Sequence, residues 1–447
     1  MSPHSLAERH ASADHYLVSR PAAWFAFAMT LGLMIFDYVD RQVIVSLFPY
    51  LKAEWHLSDK QLGALVSVVS VVVAVAALPI ALLADRGSRV KSIVAMATAW
   101  SLATIACIFT RNYSQLFAAR ALVGLGEAGY GSVGAALIAS LFPARMRGAL
   151  LAAFFAAASV GSVLGVLLGG MIAARWGWQA AFGVVGLPGL LLALLYLKVP
   201  DYKTVALTEP LEKAASSTGS AAKYAAKALV RQRTVLWVCI AGAAQLVVVS
   251  GVWAWLPSYL NRFHGIAAGQ AGVKAALVVL CGAVGSVVWG AFIDRVGRER
   301  PRARLYAMAA LCILTLGVLV PTFLLPLAAS TQFALIALGG FLMTCTVGPV
   351  SAVVTDVVHP GVRATGLSVL ALFQNLFGLA AGPLFVGALS DAYGLDTALC
   401  LIPAFGVVAA AAFLLAGRSY LADMRRVHDV LVETAGIGAV SARHAAA

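Results

Sequence analysis

The sequence predicts an all-α membrane protein of twelve transmembrane helices, arranged as two pseudo-symmetric six-helix bundles. Three observations predict it. Of 447 residues, 61% are hydrophobic and 11% charged, whereas a soluble domain carries about 25% charged residues. So much apolar surface exceeds what one water-soluble core can hide, and part of the solvent must be lipid. The apolar residues also fall into twelve runs, each near the ~20 residues that a helix needs to cross about 30 Å of hydrocarbon. Finally, two short charged signatures occur once in each half of the chain.

In chain order the runs are 22–47, 62–84, 92–110, 116–142, 149–174 and 180–199, then 235–259, 271–293, 305–327, 333–358, 364–390 and 398–416. Residues 200–234 interrupt the series with six Lys and Arg and a Ser-Ser-Thr-Gly-Ser stretch. The expected organisation is therefore a tail (1–21), a first bundle (22–199), a linker (200–234), a second bundle (235–416) and a second tail (417–447). A short amphipathic helix is expected at 221–230 within the linker.

The formal net charge of +13 would suggest nucleic acid as a partner in a soluble protein. Here the cations sit in short loops between apolar runs, so they report orientation instead. Placing the N-terminus in the cytoplasm puts 24 of the 32 Lys and Arg inside. Only Lys52, Lys60, Arg111, Arg175, Arg262 and Lys274 fall outside, and Arg41 and Arg120 lie within the membrane. The positive-inside bias therefore predicts cytoplasmic termini, and the expected location is a bacterial inner membrane. The first ~20 residues are polar, and the run that follows is too long for the h-region of a cleaved signal.

The six cysteines, Cys107, Cys239, Cys281, Cys312, Cys345 and Cys400, all lie in apolar runs without ligand spacing. They read as small buried hydrophobes and predict neither disulfide nor metal. No Walker loop, Ser/His/Asp set or metal-ligand cluster is evident. That argues against an enzyme, predicts no cofactor, and leaves a gradient as the energy source.

The repeat is carried by two pairs of segments. Ala81 to Arg89, with Asp85 and Arg86, follows the second run, and Gly290 to Arg298, with Asp294 and Arg295, follows the eighth. Phe142-Pro143 with Arg147 echoes His359-Pro360 with Arg363. Two echoes at equivalent positions indicate duplication of a six-helix unit, with a binding site expected between the halves near mid-membrane. The loop at Gly290–Arg298 resembles the Gly-x-x-x-Asp-Arg-x-Gly-Arg signature of the major facilitator superfamily. The loop at 81–89 is a degenerate copy, in which Ala81 and Ser88 stand where glycines are usual. The likeness extends from about residue 22 to 416. It implies that fold, with Asp85, Arg86, Arg89, Asp294, Arg295, Arg298, Arg147 and Arg363 as an inner gate. Asp85 and Asp294 end their helices, where a carboxylate is favoured only opposite another helix's N-terminus.

Charge inside the membrane is expensive and needs a partner or a wet cavity. The first run holds Asp37, Tyr38, Asp40 and Arg41, and the fourth holds Arg120, Gly124, Gly126, Glu127, Gly129 and Tyr130. Asp37 and Arg41 are one turn apart, and Arg120 and Glu127 are two turns apart, about 10 Å. Counting from the run ends brings both sets to similar depth. A local staple of the first helix, or an Arg120 that merely ties two helices together, is the competing reading. The chemistry favours proton coupling: a solute anion that occupies Arg41 deprives a carboxylate of its partner, and that carboxylate then takes a proton. Glu127, then Asp40, then Asp37 are the proton-site candidates. Arg41, whose planar fork suits carboxylate or phosphate, is the anion receptor, with Tyr38, Tyr130 and Arg120 beside it.

Asp37-Tyr38-Val39-Asp40-Arg41 with Gly126-Glu127-Ala128-Gly129-Tyr130 is similar to the spinster branch, whose pattern is close to Asn-Tyr-x-Asp-Arg and Gly-Glu-Ala-Ser-Tyr. The same elements look like those of the anion:cation symporters of organic anions. In both groups the first-span Asp and fourth-span Glu are linked to protons and the first-span Arg to anionic substrate. That implies these roles for Asp40, Glu127 and Arg41. Trp253 to Tyr259 also looks spinster-like, while Asp37 replaces the usual Asn.

The second half has no mid-membrane charge. Its polar candidates for substrate contact are Gln245, Gln374 and Asn375, with Trp253 as an aromatic wall. An ionic wall facing an amide and apolar wall suits an amphipathic or aromatic anion. The expected function is proton-coupled transport of a small-molecule or lipid-like anion by a monomer in the bilayer. A lysolipid exporter, and a non-transporting sensor on the same scaffold, remain the alternatives.

Overall fold

A computed structural model describes residues 16–201, 232–358 and 363–444, and among them every regular element is helical. In order these are α1 (Arg20–Trp55), α2 (Asp59–Arg86), α3 (Arg89–Ala106), α4 (Tyr113–Glu127), α5 (Tyr130–Leu141), α6 (Ala144–Trp176) and α7 (Trp178–Tyr196). The second half supplies α8 (Arg233–His264), α9 (Ala268–Glu299), α10 (Ala303–Leu324), α11 (Ala329–Met343), α12 (Pro349–Val357), α13 (Arg363–Phe373), α14 (Ala381–Tyr393), α15 (Leu395–Leu401) and α16 (Phe405–His444). The linker helix expected at 221–230, His359 and Pro360, residues 1–15 and the side chains of Asp85 and Arg86 lie outside the described residues.

Among the described residues, eleven stretches are long and apolar enough to cross a membrane, and the shorter apolar helix α11 supplies a twelfth crossing together with α12. The fold is the twelve-span arrangement that the apolar runs predict. Several helices overrun their apolar runs. α1 continues eight residues past Leu47, ending where His56 adopts a left-handed conformation at φ 51°. Local signals set these ends: Pro21 in the first turn of α1, a Ser58–Gln61 capping box at α2, Ser88 at α3 and Asn112 at α4. Each cap side chain satisfies an otherwise orphaned backbone N–H.

Four spans expected to be continuous are interrupted, the twelfth by a 3-10 turn at Ile402–Ala404 between α15 and α16. The fourth breaks at Ala128–Gly129, where Gly129 takes φ 88°, a conformation glycine adopts without a Cβ penalty. The tenth breaks at 344–348, and Pro349 restarts it at a position that needs no N–H. The eleventh contains a π-turn, Gln374–Leu379, between α13 and α14. Apolar content reports that a segment crosses the membrane but carries no information on backbone breaks within it.

By packing, the chain divides into two compact units. The first comprises Met1–Ala206, Ser250–Leu280 and Ala380–Ala398; the second comprises Leu207–Val249, Cys281–Leu379 and Leu399–Ala447. The first unit thus takes one end of α8 and α9, and α14, from the second repeat. Its core holds Trp100, Tyr130, Phe142, Phe154 and Tyr196. The core of the second unit holds Phe413, Tyr420, Cys239, Cys312 and Cys345. The cysteines are free thiols, four of them buried as apolar filler.

Candidate functional site

The site is built on α1, which is fixed from behind by α6. Gly161, Gly165 and Gly169 lie one turn apart, and a Cβ on each would strike the carbonyl oxygens of Ile35, Val39 and Val43 respectively. The same Cβ positions at Gly161 and Gly165 would lie 2.8 Å from Tyr38 Cβ and 2.9 Å from Gln42 Cβ. Only bare backbone permits this approach. The ladder sets the rotation of α1 and so aims Asp37, Asp40 and Arg41 away from α6, toward α3 and α4.

Two ion-pair groups result, side by side on α1. In the first, Arg41 Nε lies 3.0 Å from Glu127 Oε2 and 3.4 Å from Asp37 Oδ1. The guanidinium carbon sits 5.4 Å from the centre of the Tyr38 ring, within cation–π range. In the second, Arg120 Nη1 donates to Asp40 Oδ1 at 3.1 Å and to the Asp40 carbonyl at 3.3 Å, while Thr104 of α3 donates its hydroxyl to Asp40 Oδ2. The Arg120 and Asp40 side chains are 1% and 2% exposed and Glu127 is fully buried, whereas Arg41 keeps 16% of its surface. Of these charged groups, Arg41 keeps the most accessible surface. Thr104 went unnoticed in the sequence because a lone threonine in an apolar span has no signature.

Glu127 is the last residue of α4, one residue before the backbone breaks. Its position is held by Gly126, where a Cβ would overlap the Trp100 backbone of α3. A carboxylate at a helix C-terminus opposes the dipole, and the Arg41 guanidinium offsets this. Apart from that ion pair and the neighbouring Asp37 carboxyl, no partner reaches the Glu127 oxygens among the described residues.

The other predicted residues are placed as follows. Tyr130 is fully buried, its hydroxyl donating to the Thr30 carbonyl at 2.6 Å and its ring 5.2 Å from that of Trp100. It packs α5 against α1 and α3 and presents no open face. Gln245 is buried and donates to the Met343 carbonyl at 2.9 Å, at the point where α11 ends. Gln374 and Asn375 open the π-turn, and Asn375 donates to the Ala371 carbonyl at 2.9 Å. Trp253 is half-buried, with an indole N–H that has no hydrogen-bond partner among the described residues.

Of the gate residues, Arg89 donates to Ser140 Oγ at 3.1 Å and Arg147 to the Phe142 carbonyl at 2.9 Å, both at the end of the fourth span. Arg363 donates to the Thr355 carbonyl at 3.0 Å near the end of the tenth, the equivalent place in the repeat. Asp294, Arg295 and Arg298 are exposed in the last turns of α9. A further network, Asp356 with Arg304 and Tyr420, ties α12 to α10 and α16 and was not anticipated.

The Major Facilitator Superfamily matches residues 30–381. The chain is 29% identical over 436 residues to a gallate transporter of Pseudomonas putida, covering 91% of this chain and 95% of that one. It is 28% identical over 418 residues to an MFS-type efflux pump of Mycolicibacterium smegmatis, covering 90% and 94%. Its fold matches the crystal structure of a bacterial homolog of the human lysosomal transporter Spinster, with a TM-score of 0.81 at 23% identity, covering 91% and 99%. These findings bear out the twelve-span transporter fold predicted from the apolar runs and the duplicated loops, and the chain belongs to the Major Facilitator Superfamily.

Proposed function

We propose that the chain is a proton-coupled secondary active transporter of an organic or amphipathic anion, working by alternating access with both termini in the cytoplasm and as a monomer. One observation carries the reading: the partly open Arg41 guanidinium is shared between Asp37 and a Glu127 that has no other cationic partner among the described residues. An arriving carboxylate or phosphate competes for Arg41 with the two resident carboxylates. As it does so Glu127 loses its counter-charge, and a buried charge without a partner is too costly to keep. A proton resolves the cost. Solute and proton therefore bind each other's state of the carrier, and the coupling is reciprocal. Asp40 is saturated by Arg120 and Thr104, which favours Glu127, with Asp37 beside it, as the proton carrier. Gallate, the solute named for one relative, is an aromatic carboxylate, and it supports the organic-anion class.

A second reading, export or facilitated movement of a single-chain lipid phosphate, draws on the Tyr38 ring beside Arg41, which offers apolar surface next to an anion receptor. Thermal-shift titration of purified protein with gallate, benzoate, glucuronate and lysophosphatidate separates the two. Uptake into proteoliposomes under an imposed pH gradient then tests coupling. Flux that ignores the gradient removes the proton from the reading, and no flux with any of these solutes favours the non-transporting sensor.

A further inference from the structure

A second charged cluster lies in the first unit, formed by the ends of α1, α2, α8 and α14, and the transport reading does not use it. Its hub is Asp59, the first residue of α2. Arg262 of α8 grips the carboxylate with both terminal nitrogens, Nη1 at 2.6 Å from Oδ2 and Nη2 at 2.7 Å from Oδ1. Lys52 of α1 and the Ser390 hydroxyl of α14 donate to the same two oxygens. Asp391 completes the arrangement from α14: its two carboxylate oxygens accept the backbone N–H groups of Asp59 and Lys60, each at 2.8 Å. With Ser58 taking the N–H of Gln61, the orphan donors of the first turn of α2 are satisfied partly by a helix from the other repeat.

Behind this ionic layer the same helices touch through bare backbone. A Cβ on Gly387 would overlap the Asp59 carbonyl, and one on Gly63 would overlap that of Pro383. An aromatic layer follows: Phe48 and Trp255 rings are 5.1 Å apart, and the Trp255 indole donates to the Pro383 carbonyl at 3.0 Å.

We propose that Asp59 is the hub of a release latch that holds this end of the carrier shut and sets how often it opens. The inference rests on the alternating-access reading, which requires α1 and α2 to part here from α8 and α14. The charges are suited to release rather than to permanent structure. Asp59 is sunk at 3% exposure, but its cations stand at the rim, Arg262 at 26% and Lys52 at 40%. Water can take over the cations as the end parts, and two carboxylates against two cations leave the closed cluster neutral. The glycine contacts have shape complementarity but no covalent or long-range hold. The bidentate Arg262–Asp59 pair is the strong, geometry-demanding element, so weakening it shifts the population toward the open form.

The test needs no solute. Spin labels at Lys60 and Tyr393, both exposed, in a variant whose native cysteines are replaced, report the separation of α2 from α14 by pulsed dipolar spectroscopy. The parent should give one short distance with the open form below about a tenth of molecules. Arg262→Gln and Asp59→Asn should each raise a longer component at least ~10-fold relative to the closed one, a shift on the scale of ordinary two-state carriers. If either loses monodisperse elution, Lys52→Gln and a salt titration of the parent to ~1 M, which shortens the Debye length to about 3 Å, replace it. Both should raise the longer component by a smaller factor. A single short distance that persists through Arg262→Gln, Asp59→Asn and high salt overturns the latch. Because flux is not measured, that failure leaves the anion reading untouched and is read separately from any failure of flux.

Discussion

Arg41 leans toward the carboxylate that is distant in sequence: its Nε stands 3.0 Å from Glu127 on α4 and 3.4 Å from Asp37 on its own helix. A guanidinium serving only to staple α1 would favour the neighbour one turn away. The observed bias ties the first span to the fourth at the point where the fourth breaks. Any solute that claims Arg41 must therefore disturb both.

Glu127→Gln should abolish accumulation driven by a pH gradient while leaving solute exchange in place. The amide keeps the shape and accepts from Arg41 but carries no titrating proton. In the parent, acidifying the side from which solute enters should raise uptake, since the proton and the anion promote each other's binding. Parallel counterflow and gradient-driven uptake measure the two separately. Gradient-driven accumulation that survives in the glutamine variant takes Glu127 out of the coupling step.

Arg41→Lys should weaken solute affinity about 10-fold, equivalent to ~1.4 kcal/mol, with little change in melting temperature. Lysine retains the charge but not the planar fork that matches a carboxylate or phosphate. The partial exposure of Arg41 lets an ammonium find water, so folding tolerates the change. Calorimetric titration against thermal unfolding separates affinity from stability. Equal affinity in both proteins argues that the anion is held elsewhere.

Arg120→Leu should behave in the opposite way, costing about 3–5 kcal/mol of stability because it strands Asp40 as a buried, uncompensated charge. Replacing both partners, Asp40→Leu with Arg120→Leu, should recover much of that loss. Thermal unfolding of the two variants reads it directly. A milder loss in the single variant than in the double would show that the Arg120–Asp40 pair is not the tie between α1 and α4.

Much of this architecture was legible in the chain. The apolar runs predicted twelve crossings, and the Asp37–Arg41 and Arg120–Glu127 spacings placed the charged groups on α1 and α4 at matching depth. The pairing itself was not legible. Helical spacing says which residues share a face, but not which of two arginines meets which of three carboxylates. That depends on the rotation of α1 imposed by Gly161, Gly165 and Gly169, more than 120 residues further along the chain than the carbonyls they meet. The Asp59 cluster was missed for a different reason. Lys52 and Arg262 were counted as loop charges for orientation, and Arg262 and Asp391 lie far along the chain from Asp59.

Tyr130→Phe should cost about 1 kcal/mol, the worth of one buried hydrogen bond, because its hydroxyl serves the Thr30 carbonyl. Affinity for solute should stay within about twofold, since the ring has no exposed face and an indirect effect of that size is well under 1 kcal/mol. Paired melting and binding curves check both. A large loss of affinity at unchanged stability would place the phenol in contact with solute after all.

The bare backbone along α6 has a mechanical consequence. With glycine backbone pressed on the carbonyls of Ile35, Val39 and Val43, α1 and α6 cannot slide or roll past one another without collision there. They form one stiff strut. A torque applied to α1 at Arg41 is transmitted whole to α6, so a displacement begun by a single small solute is carried along the 33 residues of that helix.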